Sequence, residues 1–136
     1  MDNAQAKKVI LEFLRRHTLA VIATSHADGK PEAAVIDFSV RDNLEIVFDT
    51  FEQTRKFENL SDRRSVALVV GWDKNITVQY EGDAMKVSAS DVQEYRRRIL
   101  KAFRSRESLS RRAPCCLRSF LAGYDIPISP KTLSNV

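Results

Sequence analysis

Val9, Ile10, Phe13, Leu14 and His17 share one face at helical spacing, which predicts an amphipathic helix over Ala4–Arg16 that covers a larger core. The period then changes. Leu19–Ser25, Glu32–Val40 and Leu44–Asp49 alternate or run apolar over strand lengths, with turn signals at Asp28-Gly29 and Arg41-Asp-Asn43. Val66–Gly71 is a continuous apolar run of the kind buried strands carry, and Asp73-Lys-Asn75 turns it into a further strand over Ile76–Val87. Many short strands at regular spacing predict a closed antiparallel barrel in preference to an open α/β sheet. Ser90 and Gln93 have capping-box spacing, so a second helix is expected from Asp91 through Tyr95, Ile99, Leu100 and Phe103. Beyond it Arg104–Arg112 has no hydrophobic period, and Pro114, Gly123, Pro127 and Pro130 interrupt the rest of the chain. The chain therefore divides into a barrel with flanking helices (1–103) and an atypical tail (104–136), which divergence, truncation or a frame change could each produce.

One segment departs from ordinary helix chemistry. Thr54 suits an N-cap, and Phe57 and Leu60 pack one face of a short helix, so Arg55 and Lys56 fall in its first turn. A helix N-terminus already carries about half a positive charge and unpaired N–H groups, and two cations there are mutually unfavourable unless they reach water or meet an anion. A hydroxyl, free amides, a guanidinium and an ammonium together would form a phosphate seat.

Composition changes the picture little. The 136 residues, 43% hydrophobic and 29% charged, are those of an ordinary single domain. The amino terminus lacks a signal-peptide core, no apolar run approaches a membrane span, and the only two cysteines, Cys115 and Cys116, are adjacent. Neighbouring cysteines rarely close a good disulfide and lack zinc-site spacing, so reduced thiols and a cytoplasmic location are expected. The net charge of +4 is unevenly spread: residues 1–95 hold 12 basic and 16 acidic side chains, while 96–118 hold nine basic groups and Glu107 alone as acid. That stretch could bind nucleic acid or another polyanion, but it has few interleaved aromatics and no nucleic-acid motif, and solvated surface charge is the commoner explanation. Two histidines are too few for a metal site, and no Ser/His/Asp or Cys/His arrangement is present. Trp72 reads as a rim or interface aromatic before a ring-stacking one, and His17, at a helix end, as a satisfied or exposed histidine.

Thr18–Ser25, Asp28-Gly29, Pro31–Phe38, Ile46–Thr50, Thr54-Arg-Lys56, Asn59-Leu60, Val66–Val69 and Thr77–Gly82 occur in this order. The set resembles the pyridoxamine 5'-phosphate oxidase-related family of FMN-binding split barrels, from about Val9 to Ser88. The resemblance implies a mainly β, six-stranded antiparallel split barrel with peripheral helices, acting as a homodimer with FMN in a cleft between subunits. It assigns the cofactor phosphate to Arg55 and Lys56 with Thr54, and the phosphate and ribityl chain to Asp49 and Thr50. The backbone of Ala34, Val35, Ile36 and Asp37 would lie along the flavin ring, where Asp37 is either a ring-edge contact or a solvent-facing strand residue. Thr77 falls where the family's oxidase has a glutamine that reaches the cofactor. The cluster that holds the substrate phosphate in that oxidase has no counterpart here, so an oxidoreductase of unknown small-molecule substrate is implied and no catalytic side chain is assigned. A deazaflavin or haem on the same fold, a non-catalytic anion or nucleic-acid binder using 96–118, and a cofactor-free scaffold are the alternatives.

Overall fold

The computed structural model describes residues 2–88, 90, 91, 93, 94 and 97 and the backbone of 121–126. Its elements run α1 (Asn3–Arg15), β1 (Leu19–Ser25), β2 (Pro31–Val40), β3 (Ile46–Phe51), α2 (Arg55–Asp62), β4 (Ser65–Val70), β5 (Val78–Asp83), β6 (Met85–Lys86) and β7 (Leu121–Ile126). A capping box between Asp2 and Gln5 starts α1, which buries Ile10 and Leu14 against the sheet. Val9, assigned to the same face from its spacing, is half exposed at the rim. His17 donates from Nδ1 to the Phe13 carbonyl at 2.8 Å and lies against the Phe13 ring at a tilt of 31°, so it is a satisfied helix-end histidine.

The strands are antiparallel in the order β5-β4-β1-β2-β3-β7-β6. The two ends of that order, β5 and β6, are separated in the chain by Ala84 alone. The single run Val78–Lys86 thus supplies both ends, but no ladder joins β5 to β6, so the sheet has seven strands and is not closed, where the sequence predicts a closed six-stranded barrel. This is the mainly β antiparallel architecture expected from the sequence. The long strand expected over Ile76–Val87 is thus divided at the buried Ala84. On one face of the sheet, Ala20, Ile22, Ile36, Phe38, Ile46, Phe48, Val66, Leu68, Val70, Val78 and Tyr80 form one core with Leu60 of α2. Each large aliphatic or aromatic side chain among them contributes about 1.5–3 kcal/mol by leaving water. No helix among the described residues is long and apolar enough to cross a membrane.

Three local features differ from the sequence reading. Leu44 does not open β3; it has φ 70° and closes the Arg41–Leu44 turn, donating from its N–H to the Arg41 carbonyl at 2.9 Å. A left-handed leucine costs about 1–2 kcal/mol, which the burial of its side chain offsets. The turn is pinned from inside the core by Tyr80, whose hydroxyl donates to the Leu44 carbonyl at 2.8 Å. Tyr80→Phe should therefore cost about 1–2 kcal/mol, because it strands a buried carbonyl; urea unfolding with an unchanged midpoint would show that water replaces the bond. Gly71 lies outside β4, with φ +73°. The second helix is capped by Ser88 and not by Ser90, since the Ser88 hydroxyl accepts from the Asp91 N–H and donates to the Asp91 carboxylate. Ser90, Asp91, Gln93, Glu94 and Arg97 are helical. The remainder of that predicted helix, the basic segment apart from Arg97, and both cysteines lie outside the described residues.

Candidate functional site

β2 pairs with β1 along Pro31–Asp37, but with β3 only over Phe38–Val40. No described strand covers the other edge of β2 between Pro31 and Asp37, so a row of backbone N–H and C=O groups faces outward there. β3 diverges from this edge and ends at Phe51, and the chain turns at once into α2. The split in the sheet and the start of α2 therefore face the same opening.

Thr54 caps α2 by accepting from the Phe57 N–H at 3.3 Å, and its own hydroxyl donates to the Phe51 carbonyl at 2.8 Å. The Thr50 hydroxyl lies 2.9 Å from it, so the end of β3 and the helix cap are held as one unit. The amides of Arg55 and Lys56 occupy the first two helical positions, where no intrahelical acceptor exists. Thr24, Glu32, Ala33, Ala34, Thr54, Arg55 and Lys56 line a groove of about 280 Å³ at this point.

The two cations differ. The Arg55 guanidinium is 77% exposed and donates to Glu32 Oε1 at 3.1 Å. Lys56 is half-buried and has no ion pair or hydrogen-bond partner among the described residues. Burial disfavours its charged form and holds its pKa below the ordinary lysine value. An anion in the groove would supply the missing counter-charge.

Of the residues named from the sequence, Ala34, Thr54, Arg55 and Lys56 meet in the groove, and Thr50 joins them through Thr54. Asp49 is half-buried on β3, one residue before Thr50. Ile36 points into the core, so only its backbone can serve a ligand. Val35 and Asp37 are exposed on the other face of β2, and Thr77 is exposed just ahead of β5, with β4 and β1 between it and β2. Sequence reasoning gave no role to Glu32, Thr24 or Asn59. Asn59 Nδ2 donates to Thr24 Oγ1 at 3.0 Å and to Glu32 Oε2 at 2.8 Å, tying α2 to β1 and β2 beneath the groove. The available signal was spacing: Asn59 is four residues after Arg55 and shares its helix face.

A protein-family model described as pyridoxamine 5'-phosphate oxidase matches residues 6–114. Over 88 residues the chain is 32% identical to a pyridoxine/pyridoxamine 5'-phosphate oxidase of Ehrlichia chaffeensis, covering 64% of this chain and 44% of that protein. The chain thus spans less than half the length of this curated relative. Among solved structures it is similar to a putative pyridoxamine 5'-phosphate oxidase of Listeria innocua, with 18% identity, a TM-score of 0.65, and coverage of 88% of this chain and 90% of that one. It is also similar to HutZ, the haem storage protein of Vibrio cholerae, with 16% identity, a TM-score of 0.68, and coverage of 90% and 89%. At such identities the two structures bear on the fold alone.

Proposed function

The chain belongs to the pyridoxamine 5'-phosphate oxidase family, and from that premise we propose that it is a homodimeric FMN-binding flavoprotein acting as an oxidoreductase on a small molecule. The observation that carries the reading is Lys56, a half-buried ammonium with no counter-ion among the described residues, at a helix start that faces an open strand edge. The donor set suits a phosphate: an ammonium, a guanidinium, two free amides and the dipole of α2 converge on one groove. Arg55, Lys56 and Thr54 would hold the phosphate, with Asp49 and Thr50 beside the ribityl chain. The backbone of Ala34, Val35, Ile36 and Asp37, on the strand edge away from β1, would read the polar edge of the ring. When bound, the flavin supplies the redox chemistry, which explains why no catalytic dyad is needed in the chain.

A groove of about 280 Å³ takes a phosphate and part of its chain but falls below the range of about 300–1,000 Å³ that encloses a whole cofactor. The ring must then be covered by something else, and the outer face of the sheet indicates a second copy. Val35, Val21 and Val69 are cross-strand neighbours on that face, and Val35 is 61% exposed. Leu19 and Trp72, both exposed, line one groove next to it. An apolar stripe of this kind supports reading the face as an association surface. Thr77, in the loop that carries Trp72 and Ile76, would approach the ring from the other subunit.

Purified protein should show the visible bands of oxidised flavin, release FMN on denaturation, and sediment at twice the mass of one 15.5 kDa chain. A colourless preparation that takes up no added FMN would remove the flavin assignment, and a flavin-loaded monomer would remove the dimer.

A further inference from the structure

Glu32 is the one acid among the described residues that line the groove, and two hydrogen bonds clamp its carboxylate there. Its side chain is 20% exposed, with Oε1 accepting from Arg55 at 3.1 Å and Oε2 accepting from Asn59 Nδ2 at 2.8 Å. Asn59 is 1% exposed, and its own Oδ1 has no hydrogen-bond partner among the described residues. A buried carbonyl left unpaired costs about 1–3 kcal/mol. Turning the amide over would not relieve it, because Oδ1 would then face the Glu32 carboxylate, acceptor against acceptor. The geometry that satisfies Glu32 is thus kept in preference to one that would satisfy Asn59 Oδ1.

Resting on the phosphate seat proposed above, we infer that Glu32 is a specificity-determining residue that competes with the ligand's phosphate for Arg55. With Glu32 ionised, the groove offers Arg55 and Lys56 against one fixed carboxylate, a net single positive charge facing a phosphomonoester that carries nearly two negative ones. The carboxylate holds Arg55 Nη1, one of the donors that a phosphate would otherwise use. It also repels the phosphate directly, across a wall that is only partly screened by water. The ligand class favoured is therefore a flavin or related phosphate ester held loosely enough to exchange. Discrimination between phosphorylated and unphosphorylated forms is smaller than two cations at a helix start would give alone.

The test is titration of the full-length protein with FMN and with riboflavin, in wild type and Glu32→Gln, each checked by thermal unfolding. Glutamine keeps the shape and can still accept from Asn59. Glu32→Gln should tighten FMN by roughly tenfold or more and leave riboflavin unchanged, and the gain should shrink as salt is raised. Glu32→Ala, which removes the charge without any hydrogen-bonding requirement, should act in the same direction and stands in if the glutamine variant folds poorly. FMN affinity that is unchanged or weaker in both variants would overturn the inference and show that Glu32 merely orients Arg55. If wild type and variants bind neither flavin, the flavin reading itself fails and this inference falls with it.

Discussion

Lys56→Ala is expected to weaken FMN binding by roughly ten- to a hundredfold and to leave riboflavin, which has no phosphate, almost unaffected. The magnitude is that of one charge-assisted hydrogen bond worth about 1.5–3 kcal/mol. Arg55→Ala should act in the same sense but less strongly, because the Arg55 guanidinium is 77% exposed and its charge is better screened. The pH dependence has a definite sign. Burial favours the neutral amine of Lys56, so without ligand it gives up its proton below the ordinary lysine range. A bound phosphate favours the ammonium, so FMN affinity should fall as pH rises towards and through that range. In the ligand-free protein the unfolded chain binds more protons at this residue than the folded one, so its contribution to stability moves the other way and rises with pH in the same window. Equal FMN affinity in wild type and Lys56→Ala would defeat the phosphate seat, whatever occupies the rest of the cleft.

Gly71→Ala should destabilise the protein by about 2–4 kcal/mol, from a left-handed backbone and an overpacked contact together. Gly71 has φ +73°, and a Cβ there would lie 2.5 Å from Phe13 Cζ and 3.1 Å from His17 Nε2. The Phe13 ring could rotate, but it is packed against the core and against His17, which is itself bonded to the Phe13 carbonyl. Relief for the methyl group therefore means shifting the end of α1. A fall in the urea midpoint with an unchanged m-value is the expected signature. An unaltered midpoint would mean that α1 docks more loosely than its buried Ile10 and Leu14 suggest.

The parts of the fold that depend on local pattern were legible in the sequence. The alternation of Ala20, Ile22 and Thr24, or of Val66, Leu68 and Val70, survives directly as core-facing positions. Thr54 caps α2 as its residue type indicates. Leu44 imitates a strand residue through its apolar side chain, while its backbone is fixed by a hydrogen bond from Tyr80, far along the chain. In the groove, Arg55 and Lys56 were visible because cations at a helix start violate a local rule. Glu32 and Asn59 violate none, and their significance appears only when β2 and α2 are brought together. β7 was hidden for a similar reason. Leu121–Ile126 includes Ala122 and Gly123, a weak strand by itself, and it is ordered by the edge that β3 presents.

That last pairing has a consequence for how the chain is made. Phe51 lies opposite Leu121, and Met85 lies opposite Asp125. During synthesis, β1 to β5 can associate as soon as they emerge, since each pairs with a strand close in the chain or already present. β3 must wait, with one side open, until Leu121–Ile126 has been translated. A hydrophobic strand edge left unsatisfied over that interval is the point where nascent chains would pair with one another instead of with themselves. Premature termination before Leu121 should accordingly yield aggregates in place of a smaller soluble domain.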